Sequence, residues 1–230
     1  MTSEDDVFEA VGVLGDPVRR RLYQHVAGAP GPVGREGAAA AVGVSRSLAA
    51  FHLDKLVEAG LLAVDFQRLS GRSGPGAGRP AKLYQRAPGE RAVSLPPRAY
   101  AAAAELLADV VERAGLDREL QAAARTAAAV EGEALGEDVD PVAALRSRGY
   151  EPYWDEELPG EGAPGGRVLR LHNCPFHALA DRFPALVCGM NLALIEGLLP
   201  GCAGGADWTA VMDPPAEGCC VALKSKTNSP

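Results

Sequence analysis

Residues 44–62 read VSRSLAAFHLDKLVEAGLL, and the order of residue types here decides the fold expected of the N-terminal third. Ser45 stands where a helix cap belongs, its hydroxyl able to accept from the first unpaired amides, and Gly60 stands where a helix stops. Between them Ala49, Leu53, Leu56 and Val57 share one face, which must pack inward. Arg46, Ser47, Ala50 and Phe51 point elsewhere, and Lys55 lies on the flank. Small side chains and an arginine near the N-terminus of an exposed helix suit insertion into a DNA major groove. Arginine can bond guanine, while alanine and serine allow close approach.

The flanking sequence fits this reading. Val7, Phe8, Val11, Leu14, Val18, Leu22 and Val26 recur at helical spacing. Gly15-Asp16-Pro17 breaks the run: Asp16 can cap and Pro17 suits a first helical turn, so a new helix begins there and ends near Gly28. A loop, GAPGPVG, leads to a short helix over about 34–41, and Gly43 makes the turn into the helix after Ser45. Downstream, LLAVDFQRL and AKLYQRA read as strands around the basic loop SGRSGPGAGR. Two strands directly after a helix-turn-helix form a wing, from which Arg72 and Arg79 could reach a minor groove or phosphates. The loop's glycines do not read as a phosphate cradle, which would run from a strand into a helix.

Three segments carry a resemblance to a family. LGDPVRRRLYQHV, VSRSLAAFHLDKLVEAGLL and GRPAKLY resemble the signatures of winged helix-turn-helix regulators of the ArsR-like class, over about residues 8–87. His52-Leu53 fits that family's "HL" pair, with helix packing as the histidine's role. The resemblance implies a homodimer that reads a double-stranded DNA operator with one helix per half-site.

Charge divides the chain in the same place. Residues 16–86 carry 11 Lys+Arg against 5 Asp+Glu, whereas residues 87–230 carry 12 against 21, within a total of −7. A basic module on an acidic chain suits a DNA reader joined to a domain of other function. The opening MTSEDDVFEA lacks the basic and apolar regions of a secretory signal, and no apolar run is expected to span a membrane. Both features point to the cytoplasm. There, five cysteines are expected to be reactive, metal-bound or buried rather than paired in disulfides.

Three domains are expected: the winged helix over 1–90, a helical linker and dimerisation region over 91–149, and a cysteine-containing sensor domain over 150–230. In the middle region Tyr100 to Ala114 reads as a helix whose stripe of Leu106, Leu107, Val110 and Val111 suits dimerisation. A second helix runs from Asp117 to about Gly136, and a short one from Asp140-Pro141 to Gly149. The last region reads β-β-α-α-β-β, so the whole is an α+β chain with an antiparallel C-terminal sheet.

The stretch 171–188, LHNCPFHALADRFPALVC, holds two of the five cysteines and two of the four histidines. A turn at Phe183-Pro184 could bring Cys174 beside Cys188, which sits near a helix N-terminus where a thiolate is favoured. Cys202 follows fourteen residues after Cys188, roughly 20 Å away along a continuous helix and too far to share a compact site. Cys219 and Cys220 point to opposite faces of a strand, and the more apolar face, with Val221 and Leu223, favours Cys219. The expected ligands are therefore Cys174, Cys188 and one or both of Cys219 and Cys220, with His172 and His177 as other candidates for a fourth position. The spacing alone also allows these cysteines to be ordinary core residues.

A winged helix followed by LHNCPF, then ALVC, then a cysteine after the helix and another near the C-terminus resembles the SufR-type iron–sulfur regulators. That resemblance implies a 4Fe-4S cluster on the C-terminal cysteines and DNA affinity that depends on it. It would also give Cys202 the family's third position; the doubled final cysteine and longer last spacing depart from the pattern. The expected function is thus a regulator, not an enzyme, that senses iron–sulfur or redox status. The alternatives are zinc or a thiol–disulfide switch at the same cysteines, a regulator that binds a small organic ligand, and an enzyme using Cys174 with His177.

Overall fold

Asp16 sets the entrance to the first domain. Its carboxylate accepts from the amides of Val18 and Arg19 at 2.8 and 2.9 Å, and Pro17 fills the first helical position, where no amide needs a partner. The computed structural model describes residues 4–29, 31–67, 80–136, 138–155, 167–215 and 218–226. It divides into two units, 1–98 and 99–230. The helices of 99–149 fall in the second unit, where helix Asp117–Glu133 packs on helix Pro184–Leu198 and helix Pro141–Ser147 on strand Pro152–Trp154.

Unit one contains α1 (Glu4–Val13), α2 (Pro17–Ala27), β1 (Val33–Gly34), α3 (Arg35–Val42), α4 (Arg46–Glu58), β2 (Leu62–Gln67) and β3 (Ala81–Arg86). Gly43 ends α3 in the left-handed region, φ 71°, which lets the chain turn sharply into α4. The Ser45 hydroxyl caps α4 by accepting from the Leu48 amide at 3.2 Å. Leu22, Val26, Ala38, Ala49, Leu53, Leu56 and Tyr84 form one buried cluster, so the inward face of α4 is the one expected. Strands β2 and β3 pair antiparallel with Val64 opposite Tyr84, and β1 adds to the other side of β3. This is a winged helix-turn-helix.

A polar network locks wing to helices. Lys82 donates to Asp54 at 2.5 Å, the buried Tyr84 hydroxyl donates to the same carboxylate at 2.9 Å, and Arg35 donates to that hydroxyl at 3.1 Å. Burial alone would raise the Asp54 carboxyl, but the hydrogen bonds from Lys82 and Tyr84 and the charges of Lys82 and Arg35 outweigh it and hold it below the usual range.

Unit two contains α5 (Tyr100–Ala114), α6 (Asp117–Glu133), α7 (Pro141–Ser147), β4 (Pro152–Trp154), β5 (Val168–Leu171), α8 (His177–Ala180), α9 (Pro184–Leu198), β6 (Trp208–Met212) and β7 (Val221–Ser225). The strands form an antiparallel sheet in the order β4-β5-β7-β6. Helix α9 is apolar on nearly every side and lies between α6 and the sheet. Contrary to expectation, the segment Pro184–Gly201 is long and apolar enough to cross a membrane; in this fold its apolar faces are used in packing.

The α6–α9 contact is made at backbone distance. A Cβ on Gly197 would lie 2.2 Å from the Arg125 carbonyl oxygen, and one on Gly201 2.2 Å from the backbone of Gly132. An ion pair between Arg125 and Glu196 closes the rim.

Two predictions test this account. Both tryptophans, Trp154 and Trp208, lie in unit two, so their fluorescence during urea unfolding follows that unit. Gly197→Ala is expected to cost about 3 kcal/mol by this measure. Gly189→Ala, whose methyl meets only the flexible end of Gln121, is expected to cost under about 1 kcal/mol. For unit one, the folded Asp54 carboxyl lies below its unfolded value, so its stabilisation is present above the unfolded pKa, about 3.9, and is lost as pH falls through the lower folded value. Asp54→Asn should remove that part of the acid limb, as read by far-UV circular dichroism across pH 2 to 6.

Candidate functional sites: an exposed helix face and a cysteine core

On α4 the inward stripe leaves a free face. Arg46, Ser47, Leu48 and Phe51 are exposed, Phe51 by 58%, and Ala50 and Lys55 are half-buried beside them. Arg46 pairs with Glu36 at 2.8 Å and Lys55 with Glu58 at 2.5 Å. Such exposed pairs contribute little to stability and exchange readily for a phosphate or a base edge. His52 is buried in the helix-packing position. The two arginines expected on the wing tip, Arg72 and Arg79, lie outside the described residues.

The second site is built where β5 ends. Cys174 follows Leu171 by three residues, and the Cys219 amide donates to the Leu171 carbonyl at 2.9 Å, so the approach to β7 is tied to the end of β5. Cys174 and Cys219 are both buried and share one apolar cluster with Leu169, Leu171, Val221 and Leu223, and half-buried Cys220 packs against the same cluster.

Cys188 comes from α9. It starts the stripe Cys188, Leu192, Ile195, Leu199, whose last three members pack into the cysteine-bearing cluster, and it lies one turn before Asn191. Among the described residues no group of three or more His, Cys, Asp or Glu side chains is placed so that it could hold a metal ion, so the four expected cysteine ligands are not gathered into one site. Cys202 lies elsewhere, in a cluster with Ala128, Ala144 and Leu198, its thiol donating to the Leu198 carbonyl at 3.6 Å. Helix α9 is continuous over the intervening turns, which is the physical reason for the separation. His172 stacks on Tyr153 at 3.9 Å, and His177 is exposed and pairs with Asp181 at 3.7 Å. Cys174 and His177 therefore have different partners.

Sequence reading passed over two residues. Asn191 is 0% exposed, and its amide nitrogen lies 3.2 Å from the Cys219 sulfur and 4.0 Å from that of Cys174. The buried Tyr150 hydroxyl donates to the other end of the same amide at 2.5 Å. A lone amide in the apolar run PALVCGMNLALIEGLL was the available signal. Electrostatics match this burial. The bond with Cys219, then burial, push the Cys174 thiol up. For Cys219 the bond with Cys174 acts downward, but the bond with Cys220 and burial prevail and the net shift is upward. Burial, followed by the Cys219 and Cys174 charges, pushes Tyr150 up, so its hydroxyl stays a donor.

What the structure brings together is two buried sulfurs in an apolar cluster, with one amide N–H aimed at both. In metal-free, reduced protein near pH 8, half-buried Cys188 and Cys220 should be alkylated by iodoacetamide at least tenfold faster than Cys174, Cys202 and Cys219. Peptide mass spectrometry over time reads the order.

Comparison with known proteins bears on unit one. Residues 14–65 match the family model of a helix-turn-helix domain. Among solved structures the chain is similar to a homodimeric winged helix-turn-helix DNA-binding domain from Mycobacterium bovis, described as a possible ArsR-family transcriptional regulator. The identity is 21% and the TM-score 0.28, covering 38% of this chain and 75% of that one. No curated protein matches the chain. The chain carries a helix-turn-helix domain.

Proposed function

We propose that this chain is a DNA-binding transcriptional regulator, working as a homodimer in the cytoplasm, whose C-terminal cysteines hold an iron–sulfur cluster that sets operator affinity. The helix-turn-helix match with the exposed Arg46, Ser47 and Phe51 face supports the DNA half. The buried sulfurs of Cys174 and Cys219, both beside the Asn191 amide nitrogen, with Cys220 against the same cluster, support the sensing half. Cys188 would be the remaining ligand, on the helical stripe of α9 that continues through Leu192, Ile195 and Leu199.

Each residue has a defined task. Cys174, Cys188, Cys219 and Cys220 would hold the cluster, which supplies one-electron chemistry and sensitivity to oxidants when bound. Their thiols must lose protons to do so, which the buried pocket resists until a metal charge is present. Ligation ties three sequence-distant elements together: the end of β5, α9 and the start of β7. Helix α5 opens the same unit and exposes Leu106, Leu107 and Val110 at 70%, 67% and 62% on one face, a surface suited to a second copy of this helix. Ordering of the cysteine core would thereby alter the dimer and the separation of its two reading helices. The site acts only through a difference in affinity between the two states.

A thiol–disulfide switch is the second reading, favoured by the placing of the Cys174 and Cys219 sulfurs around one amide nitrogen, at 4.0 and 3.2 Å. One experiment separates the two. Anaerobically purified protein is expected to contain iron and sulfide, to lose both in Cys174→Ser and Cys219→Ser, and to keep both in Cys202→Ser. Colourless protein with neither element, and a Cys174–Cys219 disulfide after mild oxidation, selects the switch. One zinc per chain selects a zinc site.

A further inference from the structure

One large apolar side chain on α4 is turned away from the core. The buried row of that helix is Ala49, His52, Leu53 and Leu56. At about 100° per residue, Ser47 and Phe51, one turn apart, fall on the opposite side. Ser47 is exposed, and Phe51 is 58% exposed, its ring meeting the His52 ring edge-on at 5.3 Å. Helical side chains lean toward the preceding turn, so Phe51 projects over the turn of Ser47, where a small residue keeps the approach open. Ala50, on the neighbouring row, is small as well.

The acidic groups around this face are engaged: Glu36 with Arg46, Glu58 with Lys55, and Asp54 with Lys82 and Tyr84. The segment 16–86 that carries the face is basic, with 11 Lys+Arg against 5 Asp+Glu. An apolar ring on a basic segment fits an occupant that is anionic at its rim and apolar at one point within. The major groove of duplex DNA is such a surface: phosphates line both edges, and the 5-methyl of thymine is the apolar group that the base pairs present. A second copy of the same face would instead set one basic segment against another.

We propose that Phe51 is a specificity-determining residue, whose ring packs on the 5-methyl group of a thymine in the operator and so distinguishes that base from cytosine and uracil. The proposal rests on the DNA-binding reading given above and is independent of the cysteines. The contact makes no hydrogen bond. Its selectivity comes from burying one methyl group, which is worth about fourfold in affinity.

The test uses full-length protein and a duplex that it selects from random DNA, with affinity read by fluorescence anisotropy at one salt concentration. Each thymine is replaced in turn by deoxyuridine, which removes the 5-methyl and keeps the pairing groups. Wild-type protein is expected to lose about fourfold at one thymine per half-site. Phe51→Ala should bind the thymine duplex more weakly and differ by less than about twofold between thymine and deoxyuridine at that position. Phe51→Leu, which covers less of the methyl, should keep a reduced preference, and it decides the matter if Phe51→Ala binds too weakly to measure. A duplex whose thymines can all be replaced without effect overturns the proposal and leaves the DNA-binding reading intact. An undiminished thymine preference in both variants also overturns it, since another residue then reads the methyl. So does a changed oligomeric state of Phe51→Ala by light scattering, because the ring is then a contact between copies. Protein that selects no duplex overturns the DNA-binding reading and this proposal with it.

Discussion

The second unit depends on one constraint: α9 at Gly197, and the turn after it at Gly201, lie against α6 so closely that no side chain fits between them. That contact fixes the helix on one side, and the sheet fixes it on the other. The rotation of α9 about its axis is then no longer free. With Gly197 turned to α6, the stripe from Cys188 through Ile195 to Leu199 must face the core that holds Cys174 and Cys219. Asn191 comes with it. Backbone packing on one face thus determines the chemistry available on another, and a methyl group added at the first would disturb the second.

The first unit obeys a different rule. Its helices are specified locally, each by its own cap and stripe, and the wing is joined to them by Asp54, Lys82, Tyr84 and Arg35. Asp54, the member of that network on α4, is engaged by Lys82 and Tyr84 of β3. Such a division is useful in a reader: groups that hold the fold are separate from groups that can be surrendered to a ligand. Arg46 and Lys55 have only exposed acidic partners within their own unit.

Much of this was legible in the sequence because it is written in short-range chemistry. Asp16-Pro17, Ser45 and Gly60 mark helix ends within a residue or two. The alternation expected of Cys219 and Cys220 does not apply, because β7 begins only at Val221 and both cysteines pack on the same cluster. What escaped was set by tertiary partners. Strand β1 is two residues long and exists only because Val33 meets Tyr84. The helices of 99–149 read as a separate region because the glycines that dock α6 on α9 are far apart in the chain. Asn191 looked like a blemish in an apolar helix until Tyr150, forty-one residues earlier, and two sulfurs were found around it.

Under the proposed function, the cysteine core and helix α4 act as two ends of one switch. Fluorescence-anisotropy titration of the protein against a duplex that it selects from random DNA tests this coupling. The titration is run with the cysteine core loaded anaerobically and again after chelation, at one fixed salt concentration. The account predicts affinities that differ by at least tenfold between the two states, and that Cys219→Ser protein binds alike before and after the treatment. Equal affinity of loaded and stripped wild-type protein would contradict it.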